Sequence, residues 1–187
     1  MEDYTQIRRE NSALRPCFDL MEWGLGFSLP DEVFEDEAFQ RVHLAGIDMV
    51  CWANVSTHAI NSLPPAKQLP KDLYSYNIEQ SLGLAGNNVI TVLMKANGMT
   101  LQEAANHVGV VFESLMDAYV KNKALVRSFG PEHDANIQAY MQGIGYWAVG
   151  NLEWSFKSQR YFGPAHEEVR RTGVVKIAQQ RVLTAAA

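Results

Sequence analysis

With 187 residues, 47% hydrophobic and 10% aromatic, the chain is sized for one domain with a substantial core and is too apolar to be a disordered segment. A formal net charge of -5 excludes partners held by bulk positive charge, such as nucleic acid or an anionic membrane. It leaves room for a local basic site that takes a small anion.

In chain order the pattern is helical throughout. The opening Met1-Glu2-Asp3-Tyr4 is acidic, unlike a secretory signal, and no apolar run approaches membrane-spanning length. The expectation is therefore a cytoplasmic protein without a membrane span, in which Cys17 and Cys51 are free thiols. Residues 3–15 are polar with Ile7 and Leu14 apolar, and Pro16 marks a kink or boundary. Ser28-Leu29-Pro30 followed by Asp31 and Glu32 predicts a helix start with acids at its positive end. Apolar residues at mostly helical spacing then run from Val33 to Ala53.

Residues 55–71 break this pattern, because Pro64, Pro65 and Pro70 deny backbone donors and forbid a continuous helix. Helical periodicity resumes from Asp72 to about Leu82, and a short apolar helix follows from Asn88 to Lys95, stopped by Asn97-Gly98. Thr100 to Glu103 spells a capping box for a helix reaching about Val126. Pro131 then opens a last long helix through Tyr161, with Gly143, Gly145 and Gly150 as close-packing points. The tail beyond Phe162 shows no clear periodicity. The predicted fold is an all-α bundle.

Chemistry concentrates around the break. If residues 55–71 are removed, the text reads Asn54-Asp72-Leu73-Tyr74-Ser75-Tyr76-Asn77-Ile78-Glu79. Asn54, Ser75 and Glu79 then fall at i, i+4 and i+8, on one face of one helix. An amide oxygen, a hydroxyl and a carboxylate are hard, weakly charged ligands suited to a Mg²⁺ ion that also holds phosphate oxygens. Farther on, Trp154 precedes Arg160-Tyr161. An Arg fork fits phosphate geometry, and an indole face attracts a cation. Alone, the triple reads as a solvated helix face and Trp154 equally as core.

These motifs resemble the (N/D)DxxSxxxE and RY signatures of class I terpene cyclases. The likeness runs from Tyr4 to about Lys176, apart from the insert, and is closest to basidiomycete sesquiterpene synthases. Pro30-Asp31-Glu32-Val33-Phe34, Trp52-Ala53-Asn54 and Trp154-Ser155-Phe156 look like theirs in order and spacing. That family places a diphosphate-sensing Arg 46 residues before the triad's Asn; counting back from Asn54 reaches Arg8, whereas counting from Lys71 reaches Leu25. Asn11 and Ser12 fill the linker and effector positions, where Asp and Gly are common in bacterial members.

The resemblance implies Mg²⁺ on Asn54, Ser75 and Glu79, with Asp72 adjacent, and diphosphate contacts from Arg8, Arg160 and Tyr161. It further implies cation stabilisation by Trp154 and cyclisation of farnesyl diphosphate in an aromatic-lined barrel. The family's aspartate-rich motif precedes the sensor Arg, and Asp31-Glu32-Val33-Phe34-Glu35, which follows it, reads as helix-capping acids instead. The expectation is that residues 1–187 form the C-terminal part of a single terpene synthase domain, a partial bundle lacking the N-terminal helices and inactive alone. The alternative is a non-catalytic helical remnant or interaction module. Val55 to Lys71 has the form of an unspliced in-frame intron of seventeen codons; if it is protein, Lys71 takes the Asn position, where a protonated ammonium cannot ligate Mg²⁺.

Overall fold

The computed structural model describes residues 2–52, 71–83 and 88–177, except the side chains of residues 2, 3, 71–74 and 78. Among the described residues every regular element is helical: α1 (Glu2–Asn11), α2 (Leu14–Leu25), α3 (Asp31–Glu35), α4 (Glu37–Trp52), α5 (Lys71–Ser81), α6 (Val89–Asn97), α7 (Leu101–Lys123), α8 (Pro131–Lys157) and α9 (His166–Thr172), with a 3-10 turn at Gly163–Ala165. No described helix is long and apolar enough to cross a membrane. Asn54 and nearly all of the atypical insert lie outside the described residues.

Helix α4 is the centre of the bundle. Its residues from Ala45 to Trp52 are all buried, so it is covered on every face rather than along one stripe. It packs against α1, α3, α5, α7 and α8. Gly46 permits the closest of these approaches. A β-carbon there would stand 2.2 Å from Ile144 Cγ2 of α8 and 3.6 Å from the Phe18 ring of α2. Around this crossing Phe18, Phe39, His43 and Tyr140 form an aromatic cluster with ring centroids 5.2–6.5 Å apart. Burial, aided by the Arg15 charge, pushes the His43 imidazole below its usual range. It also holds the Tyr140 hydroxyl protonated far above the ordinary phenol range. The two meet uncharged, 3.4 Å apart.

Local chemistry sets the ends. Thr100 and Glu103 form both halves of the expected capping box. Asn88 caps α6 by accepting from the Ile90 N–H at 2.9 Å, and Gly98 closes it in the left-handed region. Three boundaries differ from the sequence reading. The run from Val33 to Ala53 is broken at Asp36, whose carboxylate accepts from Phe39 N–H at 2.9 Å and so restarts the chain as α4. The break near Pro16 falls earlier, at Ala13, whose φ of 57° is left-handed, while Pro16 sits in the first turn of α2, where its missing N–H costs nothing. The last long helix ends at Lys157, so Arg160 and Tyr161 lie in a turn and not on α8.

Two helices carried no expectation, α2 and α9. The first is amphipathic through Leu14 and Phe18, and the second is a single short segment closed by Gly173. Of the three glycines on α8, Gly143 and Gly145 do admit neighbours, the Met21 sulfur and the Tyr119 hydroxyl. Gly150 does not, since a β-carbon there would meet nothing within 4 Å.

Replacing Gly46 with Ala should destabilise the protein by about 1–3 kcal/mol, the usual cost of overpacking a dense core. Urea unfolding of Gly46→Ala against Gly150→Ala checks this: Gly150→Ala should be no less stable than wild type, because its methyl has room.

Candidate functional site

Helix α5 places Ser75 and Glu79 one turn apart, so both side chains rise from one face. The structure adds the group that aligns them. Asn88, at the N-cap of α6, donates its amide Nδ2 to Ser75 Oγ at 3.1 Å and to Glu79 Oε2 at 3.0 Å. Its own Oδ1 is committed to the Ile90 N–H. Asn88 is 2% exposed, whereas Ser75 and Glu79 are half-buried, so the pair sits at the edge of the core with a buried amide behind it. The sequence reading took Asn88 only for a helix start. A polar side chain directly before an apolar helix was the one available signal, and it does not disclose a second partner.

Arg8 lies on α1 beside the C-terminal end of α4. The Cys51 thiol donates to the Arg8 carbonyl at 3.6 Å, and Tyr4 meets the Trp52 ring edge-on at 6.2 Å. Arg9 fastens this end. It donates Nε and Nη2 to the two Asp48 oxygens at 2.7 and 2.5 Å, a forked pair in which Asp48 is buried within the apolar run of α4. The hydrogen bond to Asp48, opposed by burial, raises Arg9 above its usual value. After Asn11, Ser12 turns back to the Arg9 carbonyl at 3.1 Å, and Ala13 takes up the left-handed turn. Arg8 is thus carried on a helix anchored at both its side-chain pair and its end.

A third group forms at the far end of α8. Arg160 is exposed, with its guanidinium carbon 5.7 Å from the Trp154 ring and 5.8 Å from the Tyr161 ring. Tyr161 is buried with Phe162, Phe156, Leu152 and Val169 in a cluster separate from the main core. Trp154, 46% exposed, also lines an open groove of about 470 Å³ between α2 and α8. Met21 forms one wall; Gly143, Tyr146, Trp147, Gly150 and Trp154, spaced along one face of α8, form the other. Aromatic surface of this extent left open to solvent is available to a ligand or to a further protein surface.

The described contacts leave these as three groups: Ser75 with Glu79, Arg8 at the end of α4, and Arg160 with Trp154 and Tyr161. Asn54 lies outside the described residues, as do the side chains of Lys71 and Asp72. Among the described residues no three His, Cys, Asp or Glu side chains gather for a metal. The expected ligand set, with one carboxylate, is not a cluster of that kind. What the geometry offers is a hydroxyl and a carboxylate held side by side by a neutral donor, and that donor set suits a hard cation.

Comparison with known proteins places this geometry. The model of terpene synthase family 2, C-terminal metal binding, matches residues 1–118. A linoleate 10R-lipoxygenase of Coprinopsis cinerea is 42% identical over 99% of this chain and 48% of its own length. A bifunctional terpene synthase of Cyclocybe aegerita is 41% identical over 94% of this chain and 45% of its own. For a sesquiterpene synthase of Postia placenta the figures are 35%, 97% and 48%. The chain belongs to the terpene synthase family, its residues 1–118 matching the model of that family's C-terminal metal-binding part. It spans about half the length of the relatives it matches. The names of those relatives state different reactions, so similarity establishes the family and leaves the reaction to the site.

Asp48→Ala should cost about 2 kcal/mol in chemical denaturation. That is less than the ~3–5 kcal/mol of a fully buried broken pair, because Arg9 keeps 30% of its side-chain surface in water. Asp48→Asn, which keeps one acceptor, should recover part of the loss.

Proposed function

We propose that this chain carries the metal- and diphosphate-binding half of a sesquiterpene synthase that ionises farnesyl diphosphate with Mg²⁺ in the cytoplasm. The observation that carries this reading is the Ser75–Glu79 pair, aligned on one helical turn by a buried amide in a chain of the terpene synthase family. Ser75, Glu79 and Asn54 would hold the ion, which when bound offsets diphosphate charge. The remaining work belongs to protein groups. Arg8, Arg160 and Tyr161 would donate hydrogen bonds to the diphosphate oxygens, favouring the charge that grows as the allylic C–O bond breaks and its electron pair leaves with diphosphate. Trp154 would turn its π face to the cation left on the prenyl chain. The α8 groove, with Tyr146 and Trp147, would hold the apolar prenyl chain until proton loss or water capture ends the reaction.

Two measurements test this. Calorimetric titration with Mg²⁺ and inorganic pyrophosphate should show binding that Glu79→Gln weakens at least about tenfold, as loss of a metal-site group does. The same purified chain, given farnesyl diphosphate and Mg²⁺ and assayed by gas chromatography, should bind without releasing a hydrocarbon. A terpene above the no-enzyme control would show that the 187 residues suffice for turnover.

The groove has its own test. Farnesyl thiodiphosphate, which resists ionisation, should bind at least tenfold tighter than pyrophosphate, since each buried methylene is worth about 0.8 kcal/mol. Gly150→Phe fills the groove without meeting any neighbour within 4 Å of its β-carbon, and should abolish that increment while leaving pyrophosphate binding unchanged.

A further inference from the structure

We infer that Asn88 is a positioning residue for the metal site, an uncharged donor that aims the Ser75 hydroxyl and the Glu79 carboxylate at one cation. The inference rests on the reading of Ser75 and Glu79 as metal ligands and adds to it the group that sets their geometry.

The orientation of the Asn88 amide follows from hydrogen-bond valence. The Ile90 N–H needs an acceptor, and it finds Oδ1 at 2.9 Å. Nδ2 must therefore face the other way, toward α5, where its two hydrogens meet two acceptors, Ser75 Oγ at 3.1 Å and Glu79 Oε2 at 3.0 Å. The helix cap thus fixes which end of the amide faces the site. Asn88 is 2% exposed, so its amide is shielded from bulk solvent.

The chemistry of the donor fits a metal site better than a merely structural one. A lysine or arginine here would bond the carboxylate more strongly, but its charge would oppose a divalent cation held by the same oxygen. An amide takes one acceptor position from each ligand and brings no net charge. A carboxylate has about four acceptor positions, so capacity for a cation remains. Groups that orient ligands in this way commonly matter to metal affinity by about 10–100-fold. The link is also tertiary: Asn88 stands 13 residues after Ser75, on α6, so the position of that helix sets the angle at which α5 presents its ligands.

The experiment separates the cap from the bridge. Asn88→Ser keeps a capping oxygen and loses the amide donors; Asn88→Ala loses both; Asn88→Thr is a second cap-keeping variant should Asn88→Ser fail to fold. Manganese binding in the presence of inorganic pyrophosphate, read from loss of the free-ion electron paramagnetic resonance signal, should weaken at least about tenfold in all three. Thermal stability should fall clearly only in Asn88→Ala, where the cap is gone. In the double variant with Glu79→Gln, the Asn88→Ser loss should be much smaller than alone, because Asn88 acts through that carboxylate. Wild-type affinity in Asn88→Ser and Asn88→Thr, with Glu79→Gln weakened, would overturn the inference and leave Asn88 a helix cap only. Wild-type affinity in Glu79→Gln as well would overturn the metal reading itself, and this inference with it.

Discussion

Everything in this bundle is placed relative to a helix that is buried on all sides. From Ala45 to Trp52, α4 has no solvent face, and the other helices are arranged by what each position of that run requires. Gly46 leaves the space that the Ile144 side chain fills and so lets α8 seat against α4. Asp48 requires a cation, because a bare carboxylate in an apolar core is prohibitively costly, and Arg9 of α1 supplies it with two bonds. One buried acid therefore fixes the helix that carries Arg8, and one missing side chain fixes the helix that carries Trp154. Arg8 and Trp154 are not held by one another; the helices that carry them are held by the same central helix at different points along it.

The same economy governs the Ser75–Glu79 pair. Helix α5 is mixed in polarity and offers little apolar surface of its own with which to hold a precise angle. Its register is read by a neighbour instead. Asn88 caps one helix and holds another, so the start of α6 and the Ser75–Glu79 face of α5 are set by a single side chain. Buried polar links of this kind are stable only if every member is satisfied, and here the amide oxygen and the amide hydrogens each have a defined partner.

Much of the fold was legible because it depends on local chemistry. The Thr100–Glu103 box, the Gly98 stop and the Pro131 start are decided within four residues, and each forms where the sequence indicates. What escaped detection lies at breaks that apolar periodicity conceals. Asp36 interrupts a run that reads as continuous, since Val33, Phe34 and Phe39 are apolar on either side of it and only the Asp-to-Phe39 capping bond betrays the restart. Ala13 and Gln159 adopt left-handed angles that neither residue type advertises. At the site, the spacing of Ser75 and Glu79 put them on one face, which is a property of the helix alone. The part played by Asn88 was invisible, because it arises only when α6 packs on α5.

The distribution of apolar surface explains why three groups occur at all. The main core runs from Leu14 to Ala148 and ends before the last turns of α8; Leu152, Phe156, Tyr161, Phe162 and Val169 then close a small cluster of their own. Stacking of Phe156 on Phe162, with centroids 5.3 Å apart, and the 2.7 Å bond from Arg170 to Glu153 tie this cluster to α8. It folds the chain back so that Arg160 stands over Trp154 rather than continuing along the helix axis. Between the two cores the groove face of α8 is left with Tyr146 67% and Trp154 46% exposed, a band of aromatic surface that neither core consumes. Covering rings of that size is worth ~1.5–3 kcal/mol each, so whatever packs on the band gains from it. The chain spans about half the length of its relatives, so that band beside Arg160 is open both to a ligand and to the protein surface that the other half of such a relative supplies.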